Sequence, residues 1–123
     1  MTPATPARGL IALLRLPYWL MTGGLSLLTA FAITKDPLSL SIQTILLIFF
    51  SMAFITSAGF AINDYFDRES DAVIKPKRPI PSGALSLKQV VAISGLLFAL
   101  GLIMAFFINQ LSFAIIAVDS LLL

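Results

Sequence analysis

Three long apolar stretches constrain the fold of this chain more than any other feature. They run over about Pro17 to Thr34, Leu38 to Ile62, and Leu87 to Ile108. Each is close to or above the roughly 20 residues that a helix needs to cross a bilayer core. A mean hydropathy of +1.00, with only 11% charged residues, is typical of a membrane protein and not of a soluble domain. We therefore predict an all-α, multi-span transmembrane helical bundle.

The chain ends within a fourth apolar run, which begins at Leu111 and contains Asp119. We expect three spans and the start of a fourth, forming a single transmembrane domain over residues 1–123. An ionisable residue inside an apolar run is costly and often functional, so Asp119 is a candidate without an assigned role. The first nine residues are rich in Thr, Pro and Ala, and we expect them to form a mobile tail.

The distribution of basic residues predicts the orientation of the spans. Arg8 and Arg15 precede the first span, whereas the first connection holds only Lys35. The second connection holds five basic residues, namely Arg68, Lys75, Lys77, Arg78 and Lys88. Because basic residues accumulate on the cytoplasmic side, the N-terminus and the second connection are expected in the cytoplasm, with the protein in the cell membrane. No basic stripe interleaved with aromatic residues indicates a nucleic-acid partner.

An acidic cluster follows the second apolar stretch. Residues 63–71 read Asn-Asp-Tyr-Phe-Asp-Arg-Glu-Ser-Asp and hold four of the six acidic residues of the chain. On a helix, Asn63, Asp64, Asp67 and Asp71 would lie within an arc of about 100°, and Glu69 about 240° away from Asn63. Like charges at this spacing repel, so the face needs a cation. Mg²⁺ shared with a phosphate-bearing substrate fits, because it binds through one or two carboxylates plus substrate phosphates.

The alternative interpretation of this cluster is a helix end that is simply solvated. We favour a metal site over it, because four oxygen-bearing side chains lie in one arc. The chain has no Cys and no His, so a metal here must be a hard, oxygen-bound one. Arg68 and Glu69 point away from the arc and are interpreted as surface residues. Asp64, Asp67 and Asp71 are therefore the candidate catalytic residues, and with Asn63 they are the candidate metal ligands.

A basic, proline-rich segment, residues 75–83, comes directly after the acidic cluster. Its three prolines in six residues prevent a regular helix and fix its cations in a stiff loop. We interpret Lys77 and Arg78 as diphosphate ligands, although a positive-inside signal alone would also explain basic residues here. Lys75 is evenly balanced between a binding role and the positive-inside signal, and Arg15 between a binding role and a snorkelling anchor. Ser86 and Gln89 form a capping-box pattern that predicts the start of the third spanning helix.

The sequence also resembles a known family through these two segments. Asn63-Asp64-x-x-Asp67-x-x-x-Asp71, followed by the basic loop through Gly83, resembles the first aspartate-rich motif of the UbiA superfamily of intramembrane prenyltransferases. Three strings are most similar to the branch that transfers geranylgeranyl groups to geranylgeranylglyceryl phosphate in archaeal ether-lipid synthesis. They cover residues 63–68, 75–82 and 106–113.

The resemblance implies a fold of about nine transmembrane helices and a second aspartate motif, with Mg²⁺ and a prenyl diphosphate bound between the two motifs. This chain would be the N-terminal portion of such an enzyme. The substrates would be geranylgeranyl diphosphate and a lipid-like acceptor in the membrane, with Lys77, Arg78 and Arg15 binding the diphosphate. Two alternatives remain open: an aromatic or chlorin acceptor, as in quinone or chlorophyll synthesis, and a non-catalytic truncated membrane protein.

Overall fold

A computed structural model describes residues 5–122, except for the side chains of residues 111, 112, 115, 116, 119 and 120. Six α-helices and one 3₁₀ turn make up the secondary structure of this part. They are α1 (Pro6–Leu14), α2 (Pro17–Ile33), the turn Pro37–Ser39, α3 (Ile42–Phe66), α4 (Arg68–Ile74), α5 (Leu87–Ile108) and α6 (Gln110–Leu122). The prediction of an all-helical fold is confirmed. The side chain of Asp119 lies outside the described residues.

Three helical segments are long and apolar enough to cross a membrane: Pro6–Ile33, Ile42–Phe66 and Leu87–Ile108. Many of their leucine, isoleucine and phenylalanine side chains are exposed, as expected for surfaces that contact lipid or further helices. The second and third spans agree with the sequence prediction to within a few residues. The predicted first span, Pro17 to Thr34, agrees with α2, and α1 extends the apolar segment at its start to Pro6. The expectation of a mobile tail over residues 1–9 is therefore wrong from Pro6 onwards, where Thr5 caps the helix.

Helix α3 is the centre of the bundle, with α2 and α5 packed against it. Small residues bring the helices close together. A Cβ atom added at Gly101 of α5 would lie 2.7 Å from the side chain of Ile55 and 3.1 Å from the carbonyl of Ser51. The Ser94 hydroxyl of α5 donates a hydrogen bond of 3.0 Å to the carbonyl of Ala58. Close contact of this kind replaces the hydrophobic driving force that is absent between helices in lipid.

The loop between α4 and α5 folds back over one end of α3. Its prolines exclude a helix as predicted, and it forms successive turns, with Gly83 at φ 75°. The Leu85 amide donates to the Pro79 carbonyl at 3.1 Å and closes the loop. Gly9 of α1 packs directly against Ala84. The capping box of Ser86 and Gln89 begins α5 as predicted. Helix α1 and the basic loop thus meet at the acidic end of α3.

Candidate active site

Asp64 is the point at which the polar end of the bundle is held together. It lies in the last turn of α3 and is only 3% exposed. Its Oδ1 accepts a hydrogen bond of 2.8 Å from Arg15 Nη2 and one of 2.7 Å from Arg78 Nη1. Arg78 Nη1 also donates to Asp71 Oδ2 at 2.9 Å. A buried carboxylate needs such partners, and here they connect the α1–α2 junction, α3, α4 and the basic loop.

Arg15 reaches Asp64 because the chain breaks between α1 and α2. Pro17 has no N–H to continue α1, and its ring is incompatible with an uninterrupted helix at this point. Arg15 takes up a left-handed conformation, with φ 50° and ψ 53°, at a cost of about 1–2 kcal/mol for a residue other than glycine. Its guanidinium carbon lies 4.2 Å from the centroid of the Phe60 ring. The ion pair and the cation–π contact offset this strain.

A cavity of about 270 Å³ lies beside this ion-pair cluster. It is lined by Ala12, Arg15, Asp64, Lys75, Lys77, Arg78 and Pro79. Four of these side chains are cationic and one is anionic, so the cavity carries a clear excess of positive charge. Its guanidinium and ammonium groups are the donors that bind phosphate oxygens. A larger cavity of about 380 Å³, bounded by α2, α3 and α5, has no charged side chain among the described residues that line it and does not suit an anion.

The predicted site residues divide into two groups. Arg15, Arg78, Asp64 and Asp71 are in direct contact through the ion pairs, and Lys77 joins them in the cavity wall. In the second group, Asn63 and Asp67 are exposed.

The acidic helix predicted from the sequence is interrupted at one residue. Asp67 separates α3 from α4 with φ −84° and ψ 3°, although backbone hydrogen bonds from Asp67 to Asn63 and from Asp71 to Asp67 continue the helical pattern. Asp64 and Asp71 consequently still share one face and one partner, Arg78. Glu69 is exposed, as predicted for a surface residue.

The described residues contain no group of three or more acidic side chains close enough to hold a metal ion by themselves. Asp64 and Asp71 are instead neutralised by arginines. Asn63 and Asp67 offer the amide and carboxylate oxygens that suit Mg²⁺, which commonly takes only one or two protein carboxylates. Their chemistry fits a magnesium ion completed by ligands from a substrate.

Sequence reasoning left Lys75 undecided, and it treated Trp19 as a membrane-interface residue and Ser57 as a small packing residue, with no hydrogen-bonding role for either. Lys75 lines the cavity together with Lys77 and Arg78. The basic-proline pattern contained the signal for it, since all three cations lie in one stiff loop. Trp19 Nε1 donates to Ser57 Oγ at 2.6 Å, a contact between residues 38 positions apart. No local pattern in the sequence indicates such a contact.

The fold and the site define an all-helical membrane protein with a cationic cavity at one end of its bundle. The chain belongs to the UbiA prenyltransferase family, whose model matches residues 19–123. The resemblance seen in the sequence is thereby confirmed.

Several relatives carry the same name. The chain is 47% identical over 77 residues to the digeranylgeranylglyceryl phosphate synthase of Methanosarcina mazei. The matched segment covers 63% of this chain and 27% of that protein. It is 37% identical over 114 residues to the synthase of the same name from Natronomonas pharaonis, covering 91% of this chain and 39% of that protein.

A solved structure is also similar to this chain, with a TM-score of 0.84 and 30% identity. It is described as giving structural and mechanistic insights into the biosynthesis of digeranylgeranylglyceryl phosphate synthase in membranes. The match covers 94% of this chain and 41% of that one. The chain therefore spans less than half the length of the relatives that it matches.

Proposed function

We propose that this chain supplies the prenyl-diphosphate side of the active site of an enzyme that transfers a geranylgeranyl group from geranylgeranyl diphosphate to geranylgeranylglyceryl phosphate. The names of the relatives support this acceptor over an aromatic or chlorin ring. The observation that carries the proposal is the cationic cavity at the end of an apolar bundle. A diphosphate bound there would have its isoprenoid tail beside apolar helices and its charge among Arg and Lys side chains.

In the proposed reaction, the bond between the allylic carbon and the diphosphate oxygen breaks and the diphosphate leaves with the bonding electrons. The acceptor hydroxyl oxygen forms an ether bond to that carbon and releases its proton. Negative charge grows on the leaving group as the bond breaks. Arg15, Lys77 and Arg78 then bind it more strongly than in the ground state, and this difference lowers the barrier. Asp64 and Asp71 keep the two arginines in place for this task.

Mg²⁺ is the proposed cofactor, with Asn63 and Asp67 as its protein ligands and Asp64 and Asp71 supporting them. When bound, it would neutralise charge on the diphosphate as a Lewis acid. Asp64 and Asp71 would support it indirectly, because each has one carboxylate oxygen paired with an arginine that it orients. Asn63 and Asp67 are exposed next to them and can accept a metal without breaking an ion pair in the described residues.

The N-terminal segment and the basic loop are proposed to lie on the cytoplasmic side of the cell membrane. The contact of Gly9 with Ala84 supports their position on one side. Because the chain has no cysteine, single-cysteine variants at Thr5, Ser82 and Ser39 report orientation without background labelling. In sealed vesicles we expect an impermeant maleimide to label the first two from the same side and Ser39→Cys from the other. Labelling of Thr5→Cys and Ser82→Cys from opposite sides would contradict the topology.

The diphosphate site can be tested with inorganic pyrophosphate and the purified chain in lipid nanodiscs. Lys77→Ala removes one cation from the cavity wall, and we expect about threefold to tenfold weaker binding by calorimetry. Lys88→Ala is the matched control, since Lys88 is an exposed lysine in the first turn of α5 and does not line the cavity. Equal effects of the two changes would indicate general charge attraction and would contradict a specific site.

A further inference from the structure

The broken end of α1 is held by two side chains that have no place in the proposed chemistry. In a continuous helix the Leu14 carbonyl would accept the Tyr18 amide, but that amide donates to the Arg15 carbonyl at 2.9 Å. Ser57 Oγ donates to the Leu14 carbonyl at 2.6 Å instead. Trp19 Nε1 donates to the same carbonyl at 3.2 Å and to Ser57 Oγ at 2.6 Å. The Leu14 carbonyl is thus satisfied by a closed triangle of hydrogen bonds.

This triangle lies on the same stripe of α3 as the contacts of Arg15. Ser57, Phe60 and Asp64 are separated by three and four residues, a spacing that places them one above another on a helix. Ser57 donates a hydrogen bond to the Leu14 carbonyl. The Phe60 ring lies against the Arg15 guanidinium, and Asp64 accepts a hydrogen bond from that guanidinium. Two consecutive residues, 14 and 15, are therefore attached to α3 at three positions along one face.

We propose that Ser57 and Trp19 are positioning residues that act through the Leu14 carbonyl to hold Arg15 in its left-handed conformation, with its guanidinium in the wall of the cationic cavity. The proposal rests on the proposed function, in which Arg15 binds the diphosphate. Ser57 is fully buried, so it contributes through these hydrogen bonds and not through direct contact with a ligand. Without them, the Arg15 backbone is free to relax to negative φ, and only a fraction of molecules keeps the binding-competent arrangement.

The test measures pyrophosphate affinity of the chain in nanodiscs for Ser57→Ala and Trp19→Phe. Ser57→Ala removes the short bond to the carbonyl, and we expect about tenfold weaker binding. Trp19→Phe keeps an aromatic ring against Phe50 and Phe54 but removes the N–H together with part of the indole, so about threefold is expected. The matched control is Ser94→Ala, which removes another buried serine hydroxyl bonded to a carbonyl, that of Ala58. This control is expected to leave affinity unchanged within about twofold.

A double substitution separates positioning from general loss of structure. If Ser57 acts through Arg15, Ser57→Ala should have no further effect once Arg15→Met has removed the guanidinium. A full additional loss in the Arg15→Met background would overturn the proposal, as would an effect of Ser94→Ala equal to that of Ser57→Ala. Circular dichroism confirms that each variant keeps its helices, and Trp19→Phe provides the same test if Ser57→Ala does not fold.

A readout without ligand distinguishes failure of this proposal from failure of the proposed function. Phenylglyoxal modifies accessible guanidinium groups, and mass spectrometry resolves Arg15 from the exposed Arg8. Ser57→Ala should release Arg15 from its ion pair and raise its modification rate about fivefold relative to Arg8. An unchanged rate would overturn the positioning role even if pyrophosphate binds. If Arg15 is modified faster in Ser57→Ala but the chain does not bind pyrophosphate, the positioning role of Ser57 is supported and the proposed diphosphate site is rejected.

Discussion

Arg78→Met is expected to destabilise the polar end of the bundle and to abolish pyrophosphate binding. The change leaves Asp71 without its partner and Asp64 with only Arg15. Both carboxylates are almost completely buried. Breaking a buried pair from one side costs about 3–5 kcal/mol, because the remaining charge is left uncompensated. The free energy of unfolding in mixed micelles and the pyrophosphate affinity measure the two effects.

Arg78→Lys separates the two effects, because both ion pairs come from a single nitrogen, Nη1. A lysine ammonium can donate to two carboxylates from one nitrogen, but it lacks the planar fork that binds phosphate oxygens in pairs. We expect this variant to lose less than about 1.5 kcal/mol of stability and about tenfold in affinity. Lys88→Met serves as control. A variant with full stability and full affinity after Arg78→Met would contradict the central role of this residue.

Hydropathy and charge predicted most of the fold from the sequence. The apolar stretches predicted α2 and α5 nearly to the residue and α3 to within four residues at each end, because length and hydropathy are sufficient to define a membrane helix. The prolines correctly predicted a loop between α4 and α5, and the Ser86 capping box predicted the start of α5. Both act locally, so the sequence alone indicates them. Helix α1, ahead of the first predicted span, was missed; Pro6 opens it and Thr5 caps it. The Thr/Pro/Ala composition of the tail concealed this helix.

The candidate site was predictable in composition but not in its contacts. Helical periodicity correctly placed Asp64 and Asp71 on one face, and the basic loop singled out Arg78 as a candidate, although as a diphosphate ligand and not as the partner of these carboxylates. The periodicity did not indicate that arginines from two distant segments would neutralise these carboxylates, leaving Asn63 and Asp67 exposed. That outcome depends on the break that Pro17 imposes and on the left-handed Arg15, whose conformation is held by tertiary contacts with Ser57 and Phe60. Local patterns carry no information on contacts of this range.

Asp67→Asn is expected to cost an enzyme containing this chain about a hundredfold or more in turnover. A chimaera in which the chain replaces the matching part of the Natronomonas pharaonis synthase, with which it shares 37% identity over 114 residues, provides the assay. Asp67 is exposed at the start of α4 and makes no side-chain capping hydrogen bond. Asparagine has the same shape and is equally favoured at this position. The fold should therefore be unchanged, and the loss would arise from the missing anionic oxygen.

Glu69→Gln is the matched control for Asp67→Asn, because it removes the same charge two residues away, in the first turn of α4. If Asp67 binds Mg²⁺ shared with the diphosphate, turnover of Glu69→Gln should stay within about twofold of the unmodified chimaera. Raising the Mg²⁺ concentration should partly restore Asp67→Asn, since a weakened site fills at higher metal concentration, and should not change Glu69→Gln. Equal losses in the two variants would mean that the acidic segment acts only through its total charge, and the assignment of Asp67 as a metal ligand would then be rejected.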